Sequence, residues 1–146
     1  MATKSTDLKA FFANHVEKVA DTEYIASKRI KDESGNPMKW ILRPISNARM
    51  DEIQRECTYY PKDKNGVEQQ RLDTTKYISM ITAETVVWPD LNNAELQDSW
   101  KVLNPCALLQ VMLSVPGEYQ KLKIEAQRVN GMMESMNDMV DDAKNS

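Results

Sequence analysis

Apolar residues recur along this chain at two periods, and the points where the period changes divide it into elements. Leu8, Phe11, Phe12 and Val16 stand at helical spacing behind Thr6 or Asp7, which predicts a short capped first helix. From Glu23 to Lys31, and again from Met38 to Ile45, the pattern becomes strand-like around the turn-forming run Asp32–Pro37. This predicts a β-hairpin over about residues 23–45 with a loop longer than the tight two-residue kind. Trp40 and Leu42, joined by Tyr24 and Ala26, are its expected inner face, and Pro44 suits an edge or the end of the second strand. Ser46 and Asn47 then offer helix caps before Met50, Ile53, Gln54 and Cys57 at helical spacing. The polar run from Tyr59 to Arg71, with Pro61 and Asn65-Gly66, reads as an exposed loop.

The stretch from Leu72 to Trp100 is the expected centre of the core. Asp73 or Thr74 caps a helix carrying Tyr77, Ile78, Ile81, Thr85 and Trp88 on one side and Met80, Ala83 and Val87 on another, so burial on more than one face is expected. Pro89 should stop that helix near Trp88. Asp90, Asn92 and Asn93 supply turn and cap, and Ala94 to Leu103 reads as a return helix with Leu96, Trp100 and Leu103 inward. Asn104-Pro105 opens a further apolar helix over Cys106–Val115, which Pro116-Gly117 breaks. Tyr119, Leu122, Ala126 and Val129 follow at three- and four-residue steps up to Gly131, a C-cap. The expected architecture is α+β and predominantly α-helical: an N-terminal β-hairpin packed on a helical bundle. Residues 1–131 form one globular domain with its helical core over about 72–130, and residues 132–146 form a methionine-rich amphipathic or flexible tail.

Composition narrows the function classes more than it selects one. A chain of 146 residues is long enough for a real core, and no window approaches the roughly 20 apolar residues of a membrane span. Charges interrupt the only apolar patch near the N-terminus, so no signal-peptide core is read there and a cytoplasmic protein is expected. Residues 1–50 carry 9 basic and 6 acidic side chains, and residues 51–146 carry 10 and 16. That acidic excess argues against nucleic acid as a partner, as the absent apolar span does against a membrane. Cys57 and Cys106 match no metal spacing and are expected to be reduced and buried.

Candidate chemistry is sparse. His15 is the only histidine, and neither cysteine sits in a nucleophile motif that would make it half of a dyad. Asp51-Glu52 and Asp141-Asp142 are adjacent on helical segments and so point apart. No phosphate-cradling glycine loop and no metal-ligand cluster occurs in the sequence, so no catalytic residue, cofactor or metal is expected. What remains is binding surface. Met132, Met133, Met136 and Met139 are 4 of the 9 methionines. Flexible thioethers of this kind repack around varied apolar partners, although a last amphipathic helix folded onto the core would produce the same spacing.

The segments ASKRIKDESGNPMKW, RECTYY, LDTTKY, VVWPDLNNAELQDSW, LLQVMLSVPGEY and VNGMMESMNDMVDDAKN, in that order from about Leu8 to Asn145, resemble the XkdN-like tail assembly chaperones. Long-tailed phages, prophages and phage-tail-like particles of Gram-positive bacteria encode that family. The resemblance implies a non-enzymatic protein that keeps the tape measure protein soluble in the host cytoplasm and helps recruit tail-tube subunits. Such a protein is absent from the finished particle. The resemblance also admits a C-terminally extended frameshift product, joined near Met136 to Asn145, and a homo-oligomer. The expected contact surface combines Met132, Met133, Met136, Met139 and Val140 with Tyr119, Leu122 and the exposed side of their helix. Two other classes are separable by experiment. A tail-tube or tail-completion subunit would remain in the virion, and a small enzyme would need His15 beside a cysteine.

Overall fold

Short ladders and five α-helices make up the computed structural model, which describes residues 7–132. Strands β1 (Thr22–Tyr24) and β2 (Trp40–Leu42) pair antiparallel, with Thr22 opposite Leu42 and Tyr24 opposite Trp40. Helix α1 spans Asn47–Cys57 behind Ser46, whose side chain accepts from the Arg49 amide. Strands β3 (Thr58–Tyr59) and β4 (Arg71–Leu72) form a second small ladder. Helix α2 (Thr74–Thr85) passes directly into β5 (Val86–Trp88), which pairs with β2, so the main sheet has the order β1-β2-β5. Helices α3 (Ala94–Ser99), α4 (Pro105–Met112) and α5 (Pro116–Val129) complete the chain. The fold is α+β and mostly helical, as the periodicity predicts.

The core has two parts, both built on apolar side chains that the local pattern turns inward. Trp40 and Leu42 occupy alternate positions of β2 and are buried with Ala26 and Val86 against Leu108, Leu109, Met112 and Leu113 from the α4 region and Leu122 of α5. A second cluster joins Ile53 and Cys57 of α1 to Ile81 of α2, with Ile45, Met50, Tyr77, Met80 and Met132 packed around it. Helix α2 is the central element, lying against α1, α4 and α5. Two buried threonines face its neighbours without disturbing the core, because Thr82 Oγ1 donates to the Ile78 carbonyl at 2.7 Å and Thr85 Oγ1 to that of Ile81 at 2.8 Å. Among the described residues, no buried side-chain nitrogen or oxygen lacks a partner.

Several expectations are corrected. The α2 helix ends at Thr85, not near Trp88. Pro89 forces Trp88 into extended geometry, the β-branched pair Val86-Val87 favours a strand, and the open edge of β2 satisfies its backbone. Trp88 is consequently 48% exposed. The return helix stops at Ser99, since Lys101 takes a left-handed φ of 58° to redirect the chain towards Asn104. Trp100 is therefore 42% exposed and Leu103 90% exposed, so the core is not a hairpin of the second and third helices. The helix expected over Cys106–Val115 ends at Met112.

The strands of the expected hairpin are shorter than 23–31 and 38–45, continued only by a bridge between Lys31 and Pro37. The segment from Tyr59 to Arg71 is a hairpin rather than a simple loop. Its turn repeats the one at residues 32–36. Asp32 and Asp63 each accept two amide hydrogen bonds on one carboxylate oxygen, and Gly35 and Gly66 take φ of 84° and 78°, which glycine adopts without steric cost. The first helix is reduced to a 3₁₀ turn over Leu8–Phe11, capped by Asp7 and burying none of its residues.

Candidate partner-binding groove

A concave surface lies over the face of α2 that α1, α4 and α5 leave uncovered. Met80 and Ala83 follow at helical spacing, Val86 and Val87 continue them into β5, and Leu91, Pro105 and Cys106 close the far side. The volume is about 910 Å³. Polar residues border this floor: Asp73, Lys76 and Glu84 from α2, Asp90 and Asn92 from the loop after β5, and Asn104 and Gln110 flanking and within α4. Elements hold the walls firmly. Asp73 caps α2 through the Lys76 amide, and Asn104 caps α4 through the Ala107 amide at 2.8 Å.

The electrostatics of the groove centre on Arg49. Its guanidinium contacts Glu84 at 3.0 Å, Glu52 at 3.0 Å and Glu56 at 3.6 Å, and the hydrogen bonds it donates to Glu52 and then Glu84 hold it charged. One cation is thus shared among three carboxylates, and Asp73 and Asp90 add to the acidic side against Lys76. The rim is net acidic around an apolar floor, a combination suited to a segment with apolar and basic side chains.

The thiols are structural in character. Cys57 Sγ lies 3.6 Å from Met80 Sδ, and Cys106 Sγ donates to the Ser79 carbonyl at 3.6 Å. Burial raises the pKa of both, which disfavours the nucleophilic thiolate. Cys57 is buried as expected, whereas Cys106 is only half-buried, because it lines the groove. His15 lies on the exposed N-terminal segment, and its side chain makes no hydrogen bond to either thiol. Among the described residues, no group of three His, Cys, Asp or Glu side chains could hold a metal ion, and no helix is long and apolar enough to cross a membrane.

The residues expected to make partner contacts are placed differently from one another. Leu122 is fully enclosed in the core, because α5 turns it towards the sheet and α4, so it offers no free surface. Tyr119 is half-buried: its hydroxyl lies 3.2 Å from Ser79 Oγ, and Lys123 Nζ stands 4.6 Å over its ring. The exposed side of α5 is carried by Ile124 instead. Met132 packs on the second core cluster, and its amide bonds the Gln127 carbonyl at 2.9 Å. Met133, Met136, Met139 and Val140 lie outside the described residues. The groove was not singled out from sequence, although Met80, Ala83 and Val87 on a second side of α2 are its signal.

The fold and groove define a small mixed α+β protein with a concave, acid-rimmed apolar surface. Residues 8–144 match the family model described as phage XkdN-like tail assembly chaperone protein, and the chain belongs to that family. It is 30% identical over 139 residues to the phage-like element PBSX protein XkdN of Bacillus subtilis strain 168, covering 95% of this chain and 94% of that protein. It is 31% identical over 142 residues to the uncharacterized protein YqbN of the same strain, covering 97% and 95%. The crystal structure of YqbN matches with a TM-score of 0.73 at 29% identity, over 86% of this chain and 96% of that one.

Proposed function

We propose that this tail assembly chaperone binds the tape measure protein, keeps it soluble and helps bring tail-tube subunits to it during tail morphogenesis. It acts in the host bacterial cytoplasm and is absent from the mature virion. The family match over residues 8–144 is the observation that carries this reading. Physical chemistry supports it: a long helical client with apolar stripes aggregates unless those stripes are covered. Modest affinity at each contact allows release, and many copies along one client supply avidity. The client contacts are assigned to Met133, Met136, Met139 and Val140 and to the exposed side of α5. Met132 stays with the core cluster.

Co-expression tests this. The candidate tape measure protein is produced with this chain, without it, and with a variant carrying serine at Met133, Met136 and Met139. The expected outcome is a soluble client that co-purifies with the wild type and much less with the variant, whose urea midpoint is unchanged. A client that stays insoluble with the chain present and co-purifies with nothing counts against the proposal. Mass spectrometry of purified particles addresses the virion-subunit alternative, since stoichiometric recovery of this chain there would favour a structural role.

A further inference from the structure

The groove has the shape of an empty helix seat. Arg49 of α1 stands at one wall and Pro105, Cys106 and Gln110 of α4 at the other, while Met80 and Ala83 of α2 lie on the floor with Val86 and Val87 of β5. Val87 is 38% exposed, so this floor is open to solvent. A row of apolar side chains between two helices that share a third is where a bundle receives a further helix. A strand is the poorer occupant. β5 is an open sheet edge, but it has only three residues, its register against β2 shifts between Ile41 and Leu42, and Pro89 directly after it has no amide to donate. The volume of about 910 Å³ is enough for several large apolar side chains from one face of a helix.

Charge restricts the occupant further. Arg49 and Lys76 are the cations at the groove, and both are engaged within the chain: Arg49 by Glu52, Glu56 and Glu84, and Lys76 Nζ by the Glu56 carbonyl at 3.4 Å. The carboxylates are less fully matched. Asp73 accepts the Lys76 amide and Asp90 the Asn92 amide at 3.0 Å, and among the described residues no basic side chain pairs with either. We infer that the groove docks one amphipathic helical segment of a partner, whose apolar stripe covers Met80, Ala83 and Val87 and whose lysine or arginine flank meets Glu84 and Asp90. That this segment belongs to the client rests on the reading proposed above; the preference for an apolar and basic helix does not. The groove is a contact separate from the methionine tail and the exposed side of α5.

The test uses two labelled synthetic helices with the same leucine stripe, one flanked by lysine and its twin by glutamate. Fluorescence anisotropy should show the full chain binding the lysine peptide about tenfold or more tightly than the twin at low salt, with the advantage shrinking as salt rises. V87K and Q110R, which put a cation on the floor and on the α4 wall, should each weaken the lysine peptide severalfold. The double variant E84Q/D90N should narrow the gap between the peptides, and circular dichroism and the urea midpoint establish that each variant is folded. Cys106 reports position. Burial raises its pKa, so free bromoacetamide should alkylate it slowly, whereas a bromoacetyl group on the lysine peptide should be displaced by its thiol much faster and in preference to Cys57. Equal binding of the two peptides, folded V87K and Q110R that bind like wild type, or labelling that ignores Cys106 overturns the inference. So does a groove closed to peptide because a second copy of the chain already fills it. Co-expression separates the two readings: a client kept soluble by wild type and equally by V87K overturns the groove as its site and leaves the chaperone reading standing. A client that wild type fails to keep soluble counts against the chaperone reading, while the peptides still decide the groove.

Discussion

Asn130 reaches three parts of the fold at once. Its Oδ1 accepts from the Ile45 amide at 2.9 Å, and its Nδ2 donates to Thr85 Oγ1 at 2.8 Å and to the Ala126 carbonyl at 2.7 Å. Asn130→Ala should therefore destabilise by about 2 kcal/mol in urea titration, since it strands an amide and removes two bonds next to the core. Asn130→Asp should be at least as harmful at neutral pH, because it sets a carboxylate against a carbonyl oxygen, and acid should partly relieve the loss. Glu118 makes the opposite pH argument. Its bond to Arg29 at 2.7 Å, then one with Ser27, lowers its pKa in the folded state. The unfolded chain binds that proton more readily, so the contribution of Glu118 is present above the ordinary glutamate range and is lost as pH falls through the folded value. Glu118→Gln should lower the neutral-pH urea midpoint slightly and flatten its acid dependence. The difference from wild type should vanish well below about pH 4.3.

At the scale of elements, caps were the most legible features. Ser46, Asp73, Asn93 and Asn104 each bond an amide of their helix's first turn, as short polar side chains before apolar runs predict. Strands were less legible because each main-sheet strand has three residues, too few for alternation to stand out, and because β5 takes its conformation from the edge of β2. The hairpin at residues 58–72 has almost no apolar alternation, and its signal was the turn alone. Asp63 holds that turn through the Val67 and Asn65 amides, which lower its pKa, Val67 first. Asp63→Ala should speed amide exchange at Asn65 and Val67 while leaving α1 and α2 protected. Equal protection in wild type and variant would mean that the β3–β4 ladder alone fixes the loop.

For the molecule as a whole, periodicity identified which residues are buried better than which are on view. Leu122 was read as a contact residue from the same spacing that places it in the core, and Trp88 and Trp100 were read as core although both reach solvent. A pattern of apolar positions marks what can be covered; only the assembled fold decides which neighbour covers it. The direct passage from α2 to β5 has a consequence of this kind. Thr85 closes a helix and Val86 opens a strand with no residue between them, and groove-lining side chains stand on both sides of that junction. A segment bound in the groove would touch both sides of this seam. Binding would then favour the state in which the last turn of α2 and the β5–β2 pairing are both formed, coupling the bundle to the sheet.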